Sequence, residues 1–159
     1  MPTAITPIAT YTTTGAVNTV VFSSIPGTYR DLMLVVRGSM TSATSIISFK
    51  SSTTTGWRAS ISAWGGGTTP QVSTASANQV YSQTSVTPTD FAMEVHIYDY
   101  AQTDKKKPIT MQDMGGTTYS SIVTGYLDTT SAITTLTVMT YGGSTLAAGV
   151  NIGLYGVSA

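Results

Sequence analysis

His96 is the one histidine of the chain and Glu94 its one glutamate. Two residues apart, they fall on the same face of a strand, where they could offer two metal ligands side by side. A third and fourth ligand would have to come from Asp90, Asp99 or Asp113, and no motif supports that set. His96 therefore reads first as a structural, hydrogen-bonded histidine. The other carboxylates are Asp31, Asp104 and Asp128. A glycosidase needs two facing carboxyls about 5–10 Å apart, and a bare count of aspartates does not supply them. Asp31 opens a strand, whereas Asp104 and Asp128 sit in turn-like sequence, where Asp is common for local reasons. Serine and threonine abound, yet no Gly-x-Ser-x-Gly elbow occurs and only one histidine could act as base. A phosphate-cradling Gly-x-x-x-x-Gly-Lys is missing too. The expectation is a chain that is no enzyme, with no catalytic residue, metal or cofactor.

Surface chemistry offers more. Trp57 and Trp64 bracket one strand, which runs into Gly65-Gly66-Gly67. Trp57 is in step with Ile61 and reads as core. Trp64 with Gly65, Gly66 and Gly67 could stack on a sugar ring. Lys105, Lys106 and Lys107 are most simply a solvated turn, and could also anchor an acidic neighbour. The nine tyrosines suit interfaces or strand ends. The seven methionines fill irregular gaps in a core or at a subunit contact.

These residues must be positioned by strands. Apolar residues recur with period two, and nowhere convincingly with period 3.6. Trp57, Ala59, Ile61 and Ala63 alternate with Arg58, Ser60 and Ser62; Phe91, Met93, Val95 and Ile97 alternate with Ala92, Glu94 and His96. Leu32, Leu34 and Val36 give one face of a strand whose other face, Met33 and Val35, is apolar as well, which predicts a central or doubly covered strand. The pattern predicts strands near Ile8–Thr14, Val17–Ser23, Asp31–Ser39, Ser45–Lys50, Trp57–Ala63, Gln79–Ser85, Asp90–Tyr100, Pro108–Met114, Tyr119–Tyr126, Ile133–Thr140 and Gly149–Val157. Turn signals such as Pro26-Gly27, Thr87-Pro88 and Gly142-Gly143 separate them. Short strands at close spacing, without the crossover helices that parallel strands require, predict an all-β antiparallel β-sandwich. A jelly-roll-like arrangement is the first choice and an immunoglobulin-like one the second. The stretch Gly65–Ala77 reads as a long loop.

Composition agrees. The chain holds 31 Thr and 19 Ser but one Glu, four Lys and six Leu, so residues that favour helices are scarce and those that suit pleats and turns are plentiful. At 159 residues it is predicted to be a single domain, long enough to bury about 70% of its unfolded surface without staples. There is no cysteine, which leans mildly towards assembly in a reducing cytosol. Seven basic and seven acidic residues cancel, so no field steers the chain to nucleic acid or an anionic membrane. Met1-Pro2-Thr3-Ala4 lacks the basic start of a signal peptide, and no stretch approaches the ~20 apolar residues of a membrane span.

Several segments taken in order resemble a family of small virion proteins of tailed bacteriophages, especially phages of cyanobacteria and marine bacteria. They are Phe22-Ser23-Ser24-Ile25-Pro26-Gly27-Thr28-Tyr29-Arg30-Asp31-Leu32, Ile97-Tyr98-Asp99-Tyr100-Ala101, Ser131-Ala132-Ile133-Thr134-Thr135-Leu136 and the closing Leu154-Tyr155-Gly156-Val157. The resemblance implies a jelly-roll-like module on the outer surface of the particle, assembled in the host cytoplasm: a head decoration protein, or part of a tail fibre or collar. Lacking heptads, repeats or a shaft domain, the chain fits a capsid decoration or cement protein better, and such proteins commonly form homotrimers. Residues 1–10 are expected to be an extended arm that pairs with the major capsid protein or a neighbouring virion protein. Pro2, Ile5, Pro7 and Ile8 of the arm, with Lys105, Lys106 and Lys107, are the candidate contacts with the shell or a partner. The alternative is a tail module that binds a host receptor or glycan through Trp64 and Gly65–Gly67.

Overall fold

A chain with apolar residues at alternate positions must bury one face of each strand, and two sheets packed face to face are the economical way to do so. The computed structural model describes residues 4–41, 46–51, 57–64, 80–81, 90–115, 119–141 and 143–158. It holds β1 (Ile5–Thr12), β2 (Thr19–Phe22), β3 (Asp31–Gly38), β4 (Ile46–Ser51), β5 (Trp57–Trp64), β6 (Val80–Tyr81), β7 (Phe91–Ile97), β8 (Lys107–Gly115), β9 (Tyr119–Leu127), β10 (Leu136–Tyr141) and β11 (Asn151–Val157). Among the described residues there is no helix. The strands form a large sheet in the order β1-β11-β3-β7-β8-β9-β5 and a small one in the order β2-β10-β4-β6. Every pairing is antiparallel. The protein is an all-β, jelly-roll-like antiparallel sandwich.

One core joins the sheets. Leu32, Leu34 and Val36 of β3, Met93, Val95 and Ile97 of β7 and Ile152 and Leu154 of β11 face Phe22, Phe49, Leu136 and Val138 of the small sheet. Each such side chain contributes about 1.5–3 kcal/mol on burial. The doubly apolar β3 lies inside the large sheet between β11 and β7, as its pattern predicts of a central strand. It ends at Gly38, where φ is 149° and a Cβ would stand 2.6 Å from the Val150 side chain, so only glycine fits.

One expectation changes. The first strand starts at Ile5, not Ile8, so the greater part of the predicted arm is sheet: Thr6 pairs with Gly156 and Tyr11 with Ile152. A register shift between Pro7 and Ala9 hides this strand from a strict period-two reading. Pro7 is tolerated because β1 is an edge strand. Of the predicted strand Gln79–Ser85, Val80 and Tyr81 form β6 and the remainder lies outside the described residues.

Candidate binding face

The inner face of the large sheet is consumed by the core; its outer face carries the unspent polar groups. Register across three adjacent strands sets them in rows. Asn151, Arg37 and Ala92 form one row, Gly153, Val35 and Glu94 the next, and Tyr155, Met33 and His96 the third. On β8 the rows continue with Met114, Gln112 and Thr110. A cavity of about 490 Å³ opens over the first strands, lined by Met33, Val35, Arg37, Glu94, Asn151, Gly153 and Tyr155. A smaller one of about 150 Å³ shares Val35, Arg37 and Glu94 and reaches Gln112 and Met114. The two make one trough across β11, β3, β7 and β8.

Within the trough the polar groups differ in what they have left to offer. Asn151 is engaged: its Oδ1 accepts from the Thr12 hydroxyl at 2.9 Å and its Nδ2 donates to the Gly149 carbonyl at 3.1 Å. Glu94 lies 3.5 Å from His96 Nε2. Arg37 is exposed and has no hydrogen bond or ion pair among the described residues. The Tyr155 ring lies over Gly153, where a Cβ would meet its Cε2 and Oη at 2.6 Å. Glu94 and His96 thus do share a face, as the spacing predicts, but no group of three possible metal ligands occurs among the described residues.

The lysine run divides. Lys105 Nζ pairs with Asp99 at 3.0 Å, a hydrogen bond that raises its pKa. Lys106 Nζ pairs with Asp128 at 2.9 Å and lies 4.9 Å from the centre of the Tyr126 ring. Both stay half exposed, as a solvated turn would have them. Lys107 does not. It is fully buried on the inward row of β8 with Ile109 and Met111, and its ammonium donates to the carbonyls of Gln102, Lys105 (2.8 Å) and Thr130 (3.2 Å). Burial lowers its pKa. Lys107 is therefore corrected from a partner contact to an internal staple. The signal was present: the alternation of β8, run backwards from Met111 and Ile109, lands on Lys107.

The remaining candidates scatter. Ile5 and Pro7 are exposed on β1, whereas Ile8 is half-buried against the core, so Ile8 is not a free contact. Trp64 ends β5 opposite Ser120, in the backbone row of Met114, and Trp57 lies opposite the buried Leu127. Pro2, Gly65, Gly66, Gly67 and the Gly65–Ala77 loop lie outside the described residues. Asp31 is structural: it is buried, pairs with Arg30 at 2.7 Å and accepts the Asp99 N–H at 2.9 Å, where Asp99 has φ 51°. Asp113, also buried, accepts from the Ser121 hydroxyl. The sequence singled out neither Arg37, Tyr155 nor Gly153 as a site.

No family model and no curated protein matches the sequence. Among solved structures the chain is similar to lactose- and MES-liganded congerin II, at 13% identity over 89% of this chain and 100% of that one, with a TM-score of 0.39. It is also similar to the Caenorhabditis elegans galectin LEC-6, at 11% identity over 94% and 96%, with a TM-score of 0.38.

Proposed function

We propose that the chain is a non-enzymatic structural protein of a tailed-phage particle, a decoration or cement subunit that binds the assembled shell from outside. The order of the resembling sequence segments supports the setting. The geometric observation that carries the reading is the edge of the large sheet. Among the described residues no strand pairs with the outer side of β1, and Ile5 and Tyr11 are 56% and 40% exposed there. An unpaired edge is a template for strand addition by a neighbour. A subunit that binds the lattice but not its free components stabilises the shell by linkage. Lys105 and Lys106 are half-exposed at the surface, each paired with an aspartate, whereas Lys107 is buried.

The test is occupancy on intact particles. Removing residues 1–10 would delete most of an edge strand, so the discriminating variant is Ile5→Lys with Tyr11→Lys, which charges the edge and spares the core. Loss of particle binding with an unchanged urea midpoint supports the reading, and unchanged occupancy overturns it. Native mass should show a trimer; a monomer alone counts against that part.

A second reading, a tail fibre or collar module that binds a receptor or glycan, is favoured by one observation: the open trough with its unengaged Arg37. Microscopy of the intact particle separates head from tail.

A further inference from the structure

We infer that the trough on the outer face of the large sheet is a saccharide site, built to take a neutral pyranose ring over Tyr155 with its hydroxyls between Arg37 and Glu94. The inference rests on the second reading only in that this face meets a ligand; it does not depend on where in the particle the chain sits.

The platform comes first. Gly153 sits in the middle of β11 between Val35 and Thr10, where a side chain would ordinarily stand. An ideal Cβ there would lie 2.6 Å from the Tyr155 Cε2 and Oη and 2.8 Å from its Cζ. The glycine is the seat that lets the phenol end of the ring lie over the strand as part of the cavity lining. An aromatic ring held this way offers an apolar face with a polar rim, which suits the C–H face of a sugar.

The polar groups then select the ligand. A guanidinium only donates and a carboxylate only accepts. Arg37 and Glu94 stand at diagonal positions of paired strands, roughly 7–8 Å apart at the backbone, and form no ion pair with each other. A phosphate or uronate placed between them would meet Glu94; an ammonium would meet Arg37. An apolar ligand would strip water from both charges and return nothing. Neighbouring hydroxyls each accept and donate, so they satisfy the pair at once, with charge-assisted bonds on both sides. Asn151, already engaged with Thr12 and Gly149, forms wall and not reader.

The size fits as well. A cavity of about 490 Å³ lies within the ~300–1,000 Å³ typical of small-molecule sites. The trough continues over β8 to Gln112 and Met114, three strand spacings from β11, or about 14 Å. That is room for more than one ring.

The experiment titrates the intact chain with the methyl glycosides of glucose, galactose, mannose and N-acetylglucosamine, with glucuronic acid and inorganic phosphate as charged probes. Binding is read by saturation-transfer NMR and calorimetry. At least one neutral glycoside should bind. Arg37→Gln and Glu94→Gln should each weaken it about tenfold, as loss of a charge-assisted hydrogen bond implies. Gly153→Ala, which displaces the ring, should weaken it too. Both charge variants sit on exposed side chains, so an unchanged urea midpoint shows that the fold survives. Binding by no neutral glycoside, preference for a charged probe, or affinity indifferent to Arg37→Gln would overturn the inference. A chain found on the shell that fails this titration loses the saccharide site but keeps its place in the particle.

Discussion

Two cations of this molecule sit on adjoining parts of one sheet and have opposite fates. Lys107 points inward, is fully buried and donates to three carbonyls. Arg37 points outward, lines an open trough and meets no partner among the described residues. A buried ammonium is tolerated only when its donors are satisfied, so the Lys107 region is closed and structural. An exposed guanidinium in a trough retains five donors for something else. The lesson is that unspent hydrogen-bonding capacity, and not charge itself, separates a surface able to take a ligand from one that is closed.

The comparison breaks most visibly at Lys107. Lys107→Met should cost about 2–4 kcal/mol, because three carbonyls lose their donor. Urea unfolding would measure it, and a cost near zero would mean the staple is ornamental. Next comes the pair of glycines on β11. Gly156→Ala drives a Cβ into the Tyr29 ring and should cost about 1–3 kcal/mol by overpacking. Gly153→Ala should cost less, since it displaces only Tyr155 at the surface, while acting on ligand binding. Equal losses of stability would show that the outer tyrosine is as structural as the inner one.

Titration sharpens the same contrast. Burial holds the Lys107 ammonium below the usual 10.5. Between that lowered value and 10.5 the unfolded chain binds more protons, so stability should rise with pH across the window and level off above it. Lys105 acts in reverse: its pKa is raised by Asp99, so its contribution is present below 10.5 and lost as pH climbs through the raised value. Urea midpoints measured as pH approaches 10.5 should therefore rise less steeply in Lys107→Met than in the wild type. An identical slope would remove Lys107 from the account. The smallest effects belong to the surface. Arg37→Gln should leave the midpoint where it is, below pH 10.5 Lys105→Met should lower it slightly by removing the Asp99 pair, and Lys106→Met should move stability by no more than about 1 kcal/mol.

Particular residues show what could be read early. The alternation through Phe91–Ile97 placed Met93 and Val95 inward and Glu94 and His96 on one outer face, and the doubly apolar β3 announced its central position. The lysine run misled, because three like charges suggest solvent while the inward row of β8 ended on one of them. The edge strand was read short, because the shift between Pro7 and Ala9 breaks the period that revealed its neighbours.

The sequence by itself determined the class of fold, since period-two burial and a lack of helix formers leave few alternatives to packed antiparallel sheets. It also determined which residues share a face along strands of unbroken period, such as Phe91–Ile97. Which strands lie side by side was decided only by tertiary structure. Arg37 and Asn151 are opposed in the sheet although 114 positions separate them in the chain, and Glu94 joins them from a third strand. No local pattern encodes such a meeting, because register between distant strands is set by the collective burial of the core and not by any pair of residues. The trough exists on the far side of that core as its consequence.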